Sequence, residues 1–198
     1  MNKCRPQLSS DREAPWRKSS FPADGIAVVI GATGAIGGAL LERLTETAHF
    51  RKVIGLSRSG TPALDLASEM SISEAAEFID THGDPLRLVI NATGFLHSEE
   101  AMPEKTWRDL EAHRLTHSFA VNTIGPALVM KHFLPLLARE EKAVFATLSA
   151  RVGSIGDNQL GGWYGYRASK AALNQMVRTA AIELRRRSQS AICVALHP

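Results

Sequence analysis

The run Tyr166-Arg167-Ala168-Ser169-Lys170 places a phenol and an ammonium four positions apart, on one face of a single helical turn. A free tyrosine ionises near pH ~10, and a neighbouring Lys⁺ favours the phenolate, so the pair is expected to bring the phenol toward proton transfer at neutrality. The spacing alone is common on solvent-facing helices; the residues around it decide its meaning. Gly31-Ala32-Thr33-Gly34-Ala35-Ile36-Gly37-Gly38 follows the apolar run Ile26–Ile30 and precedes a helical segment carrying Leu40, Leu41 and Leu44. A strand, a glycine turn and a helix N-terminus make an anion site. Unpaired backbone N–H groups and the helix dipole favour phosphate, and glycine lets a pyrophosphate approach the backbone. The spacing is G-x-x-G-x-x-G rather than G-x-G-x-x-G, and a glycine turn without a ligand is the alternative. Many NAD-binding units end the second strand on an acid that accepts ribose hydroxyls, whereas this chain reads Gly55-Leu56-Ser57-Arg58. Ser57 and Arg58 suit a 2′-phosphate, which favours NADP(H) over NAD(H); an exposed loop arginine is the alternative.

These groups need a scaffold of alternating strands and helices. From Gly25 onward, short β-branched or apolar runs alternate with longer segments of helical spacing, the pattern of βαβ units around a parallel sheet. Strands are expected at Ile26–Ile30, Lys52–Leu56, a short stretch before Asp65, Leu86–Asn91, Ala143–Leu148 and Ala191–Leu196, apolar enough to be covered on both faces. Helices are expected to begin near Gly34, Ile72, Thr106, Thr116 and Tyr164. In the last, Leu173, Met176, Val177, Ala180 and Leu184 recur at helical spacing up to Arg185-Arg186-Arg187. The expected fold is a single Rossmann-type α/β domain with a doubly wound parallel sheet over 25–198, behind a disordered or loosely docked tail at 1–24.

Composition narrows the class. With 198 residues, 44% hydrophobic, 22% charged and a net charge of +3, the chain is one globular domain. A core of this size needs neither a disulfide framework nor a structural metal. Cys4 lies in a polar segment and Cys193 in an apolar one, so a reducing, cytoplasmic setting without a disulfide is expected. Three excess charges do not make a nucleic-acid surface, and the arginine cluster sits where a helix should end and where its dipole favours cations. No run approaches the ~18–20 apolar residues of a membrane span, and residues 1–25 have no apolar signal region. His113 and His117 have the i, i+4 spacing of metal-binding helices but no intervening Glu and no third ligand, so no metal is expected. Asp157-Asn158 reads as a turn. Trp163 and Tyr164 either line a substrate pocket or pack the helix entry.

Taken together, the motifs resemble the short-chain dehydrogenase/reductase family. The glycine turn is followed in family order by Asn91-Ala92-Thr93-Gly94, Val121-Asn122-Thr123-Ile124-Gly125, Leu148-Ser149-Ala150-Arg151-Val152-Gly153, and Tyr166 with Lys170. Ser149 to Asn158 and Gly161 to Lys170 are similar to the branch that contains the C-factor signalling protein and related carbonyl reductases. The resemblance implies a catalytic tetrad of Asn122, Ser149, Tyr166 and Lys170. Tyr166 donates a proton to a carbonyl oxygen as hydride arrives, and Ser149 hydrogen-bonds that oxygen. Lys170 holds the nicotinamide ribose and lowers the phenol pKa, and Asn122 positions a water that relays protons. It also implies a cofactor site of Gly31, Thr33, Gly34, Ala35, Ile36, Gly37, Ser57, Arg58, Asp65, Leu66, Asn91, Ala92, Gly94, Tyr166 and Lys170. In it, Asp65 with Leu66 contacts adenine, Asn91 braces the sheet and Gly94 lets the cofactor pass close. Relatives often carry two serines at the end of the fifth strand, the second being catalytic. Counting back from Gly153 puts Ala150 there, so Ser154 is the alternative to Ser149.

The chain ends at His197-Pro198, where the resemblance implies a Pro-Gly turn, a threonine that grips the carboxamide, a substrate-covering helix and a last strand. The C-terminal part of the domain is therefore expected to be missing. The expected function is an NADP-dependent oxidoreductase acting on a small ketone, aldehyde or secondary alcohol, with specificity set by Phe95–Met102 and the C-terminal part. A nucleotide-binding signalling or regulatory module is the alternative, and an epimerase or dehydratase a third. A homodimer or homotetramer is implied through the helices that hold Asn122 and Tyr166.

Overall fold

The computed structural model describes residues 20–98 and 102–198. Residues 1–19 of the expected tail lie outside them, as do residues 99–101 of the expected specificity loop. Five strands, β1 (Ile26–Ile30), β2 (Lys52–Leu56), β3 (Leu86–Asn91), β4 (Ala143–Leu148) and β5 (Ala191–Leu196), form one parallel sheet in the order β2-β1-β3-β4-β5. The short strand expected before Asp65 is only one bridge, Ser57 to Ala63. Gly60 and Pro62 lie between its two partners, and a proline without an N–H cannot extend a ladder.

β1 and β3 are buried along their whole length, as continuous apolar strands between helices must be. Alternate side chains divide the core. Ile26, Val28 and Ile30 face α2 (Glu69–Asp80), α4 (Gly125–Phe133) and α5 (Tyr164–Arg187), meeting Ile72, Phe133 and Leu173. Ala27 points to the other face and packs with Leu88, Ile90 and Phe50, with Leu40 and Leu44 of α1 (Ala35–Glu46) against them. The helix expected near Thr106 is a three-residue 3-10 turn, Trp107–Asp109, closed by a Thr106–Asp109 capping box. The long helical run starts instead at α3 (Ala112–Phe119), passes through a π-helical turn, Ala120–Ile124, and continues as α4. α2 begins three residues before Ile72 because Ser68 caps it, accepting from Ser71 N. Among the described residues no helix is long and apolar enough to cross a membrane.

Residues 20–24 are docked, which departs from the loose tail expected there. Phe21 packs edge-on against Phe50 at 5.5 Å. Asp24 accepts from Arg87, which is 4% exposed at the amino end of β3 and also donates to Glu141 at 2.5 Å. One buried guanidinium thus ties the chain entering β1 to the chain entering β4. Replacing both Asp24 and Glu141 by Ala should cost about 2 kcal/mol, less than the ~3–5 of a fully buried pair because both acids are partly solvated. Urea unfolding checks this, with Arg87→Met expected to cost less than the double variant.

Candidate active site

The carboxyl ends of β1 and β3 are neighbours in the sheet, yet the chain leaves them for opposite faces, α1 on one and the α3–α4 run on the other. That split opens a cleft, the usual ligand position of an open α/β sheet. Gly31 leaves β1 with φ +85°, and a Cβ on Gly37 would stand 2.1 Å from the Gly31 carbonyl oxygen, so α1 begins flush against the turn. Gly34 is the cap residue of α1 and offers no side chain, nor is there an acid in the first turn. The first N–H groups of α1 therefore have no capping side chain and suit an anion. Ala35 and Ile36 form this exposed first turn, with Gly37 buried behind it.

The cleft holds about 530 Å³ and is lined by Gly31, Thr33 and Gly34 on one side, Ser57, Arg58, Asp65 and Leu66 on another, and Ala92, Gly94 and Phe95 on the third. Arg58 is exposed and has no carboxylate partner among the described residues. Asp65 accepts from Ala67 N at 3.0 Å, and its own N–H donates to Ser71 Oγ at 2.8 Å, which fixes this corner. Asn91 is fully buried and braces the sheet, donating to Thr147 Oγ1 at 3.1 Å and accepting from the Thr93 hydroxyl at 2.7 Å.

Gly94 joins the cleft to two of the four residues expected to form a tetrad: a Cβ there would lie 3.5 Å from Lys170 Nζ and 3.6 Å from Asn122 Oδ1. Asn122 is fully buried on the π-helical turn, a widened turn of the kind frequent at functional sites. Its Oδ1 accepts from Phe95 N, its Nδ2 donates to Phe95 O, both at 2.8 Å, and Nδ2 also donates to Ser169 Oγ at 3.2 Å. The amide therefore clamps the backbone after Gly94 to the first turns of α5. Lys170, 2% exposed, donates to Leu148 O at 2.9 Å and stands 5.8 Å from the centre of the Tyr166 ring. Burial with no carboxylate alongside disfavours its charge and lowers its pKa to about 8. The phenol of Tyr166 moves upward, also from burial, rather than downward as the sequence led us to expect. The ammonium donates to the Leu148 carbonyl, and desolvation governs both groups.

Ser149 Oγ donates to Asn174 Oδ1 at 2.6 Å, and Asn174 donates to Gly153 O at 3.4 Å. Ser154 is exposed and accepts from Asp157 N. Neither hydroxyl is hydrogen-bonded to Tyr166 among the described residues. Asn174 was not singled out from sequence, although it lies one turn beyond Lys170 on the same face. His117 is exposed on α3 and at the same time lines the cleft, meeting Phe95 edge-on at 4.6 Å; nothing in the helical spacing signals that contact. His113 pairs instead with Glu111. Asp157 pairs with Arg151 within the expected turn, and Trp163 is 40% exposed with its ring 6.3 Å from that of Tyr166.

Residues 22–195 match the family model described as enoyl-(acyl carrier protein) reductase. 1-Hydroxy-2-glutathionyl-2-methyl-3-butene dehydrogenase of Rhodococcus sp. (strain AD45) is 32% identical over 115 residues, 58% of this chain and 47% of that protein. The C-signal of Myxococcus xanthus is 37% identical over 90 residues, 46% of this chain and 53% of that protein. The chain spans about half the length of these curated relatives. Among solved structures, the putative carbonyl reductase Sniffer of Caenorhabditis elegans superposes with a TM-score of 0.79 at 25% identity, covering 89% of this chain and 85% of that one. NADPH-bound carbonyl reductase from chicken fatty liver gives 0.77 at 25% identity, covering 92% and 79%.

The Lys170 shift makes a thermodynamic prediction. The folded chain releases this proton near pH 8 and the unfolded chain near the ordinary 10.5. Between those values the unfolded state binds more protons, so the contribution of Lys170 to stability rises with pH, and below about 8 the cost of the buried charge is fully present. From pH 7 to 9.5 the wild-type chain should gain on the order of 2 kcal/mol relative to Lys170→Met. Urea midpoints of the two proteins at both pH values check it; Cys193, whose thiol burial pushes up to about 11, is common to both and cancels.

Proposed function

The chain belongs to the short-chain dehydrogenase/reductase family, and from that premise we propose that it is an NADP(H)-dependent oxidoreductase acting on a ketone, an aldehyde or the corresponding secondary alcohol. The observation that carries this reading is the junction at Gly94, where the glycine-lined cleft runs directly onto Lys170 and Asn122. The cleft fits a dinucleotide. Backbone N–H groups of the Gly31–Gly37 turn receive the pyrophosphate, Asp65 and Leu66 flank the adenine, and Arg58 with Ser57 takes a 2′-phosphate. Carriage of NADPH by the chicken reductase supports the choice of NADP(H).

When bound, the nicotinamide supplies or accepts the hydride. Tyr166, its phenol kept protonated by burial, gives its proton to the carbonyl oxygen in the reducing direction. Lys170 stabilises the phenolate left behind and holds the ribose, and its pKa of about 8 leaves it charged at neutrality. Asn122 fixes the Phe95 backbone at the inner end of the cleft. Ser149 turns from Asn174 to hydrogen-bond the same carbonyl oxygen. A homodimer or homotetramer would use α4 and α5, whose outer groove of about 340 Å³ is lined by Met130, Leu134, Met176 and Ala180. A reducing, cytoplasmic setting suits the buried free thiol of Cys193.

A second reading, a nucleotide-binding signalling module with weak or lost turnover, is supported by the similarity to the C-signal. Measured turnover separates the two. With NADPH at about a hundred times its Kd, the melting transition should rise by the equivalent of ~2.7 kcal/mol, and Arg58→Asp should reverse the NADPH/NADH affinity ratio. Tyr166→Phe should lower kcat for NADPH-dependent carbonyl reduction by roughly 10²- to 10⁴-fold; a retained rate removes Tyr166 as the acid. Ser149→Ala should lower kcat by about tenfold or more while Ser154→Ala leaves it unchanged, and the opposite pattern transfers the role to Ser154.

A further inference from the structure

Glu104 is 7% exposed and has no Lys, Arg or His partner among the described residues. Its Oε2 accepts from Gly165 N at 3.2 Å and its main-chain carbonyl from Trp163 N at 2.5 Å. Trp163 is the cap residue of α5 and Gly165 the second residue of its first turn. The N–H groups there have no acceptor within the helix, and Trp163 provides no side-chain cap. A carboxylate at this point also meets the positive end of the helix dipole. The cap that α5 lacks locally is supplied from 61 positions earlier in the chain.

The chain entering α5 needs such support. Gly161 and Gly162 have φ +65° and Trp163 φ +53°, three successive left-handed residues, the last of which pays for its Cβ. Arg167 holds one side of this run, donating to Gly162 O at 3.0 Å, and Glu104 holds the other. Gly165 leaves room for the carboxylate: a Cβ there would stand 3.0 Å from Glu104 Oε1 and 3.3 Å from Leu115 of α3. Glu104 therefore sits where the start of α5, which carries Tyr166, meets the helical run that carries Asn122.

We propose that Glu104 is a positioning residue for the reaction assigned above: it caps the first turn of α5 across the fold and so fixes the Tyr166 phenol against the cleft, touching neither substrate nor cofactor. The inference rests on Tyr166 being the proton donor, and the test separates the two. The proteins are the full chain and its Glu104→Met and Glu104→Gln variants, the first removing the acceptor at similar volume and the second keeping one. Three quantities are read: amide hydrogen exchange over 161–167, the Kd of NADPH, and kcat and KM for NADPH-dependent reduction of 4-nitrobenzaldehyde. Glu104→Met should speed exchange at Trp163 and Gly165 and lower kcat, each by about tenfold or more, with the Kd of NADPH within about twofold. Glu104→Gln should restore kcat to within about threefold of wild type. Wild-type exchange and kcat in Glu104→Met overturn the proposal, as does unprotected exchange of the Gly165 amide in the wild-type chain, a result that needs no variant. If the wild-type chain reduces no aldehyde while the exchange pattern holds, the clamp stands and the reaction assigned to Tyr166 fails.

Discussion

The site depends on a constraint of connectivity. β1 and β3 are hydrogen-bonded neighbours, and the chain must leave them toward opposite faces of the sheet, because each face needs helices to bury it. Two backbones that diverge at one level leave a gap that neither can fill. The gap is edged by the polar groups of a strand end and a helix N-terminus. Glycine at 31 and 37 lets the start of α1 and the ends of β1 and β3 approach closely, and Gly94 leaves the far end open onto Lys170. The cleft, the uncapped start of α1 and the polar cluster around Lys170 all follow from the strand order.

The end of the cleft at Lys170 is held by buried and half-buried polar contacts. Lys170 reaches the carbonyl at the end of β4, Ser149 and Asn174 join the same strand end to α5, and Asn122 with Ser169 and Thr123 joins α5 to the π-helical turn. Apolar contacts would hold α5 against the sheet at many nearly equal registers, whereas directional bonds to strand-end groups select one. The π-helical turn belongs to this device. One extra residue per turn redirects Asn122 inward while α3 and α4 on either side keep their own faces.

Burial sets the charge states of the pair. Desolvation keeps the phenol of Tyr166 protonated and weakens the hold of Lys170 on its proton. The shifts move the two groups apart in acidity, making the ammonium the stronger acid and the phenol the group that keeps its proton at neutrality. The same burial makes Lys170 costly to the fold near neutrality.

The amino-acid sequence by itself determined the scaffold and most of the residues that converge. The apolar runs of β1 and β3, the glycine spacing at 31, 34 and 37, the Ser57-Arg58 pair and the Tyr166–Lys170 interval are local patterns, and local patterns report local structure. The boundaries that slipped were those where a non-local partner or a missing donor decides: Pro62 stops a ladder, Ser68 starts α2 early, and the Thr106 capping box closes after a single turn. Only the tertiary structure decided the rest. It turned Ser149 toward Asn174, set His117 against Phe95, brought Glu104 to the start of α5, and moved the Tyr166 phenol up rather than down. Each of these is a distance or a loss of water between residues far apart in the chain. Periodicity and spacing carry no term for either until the strands are placed side by side.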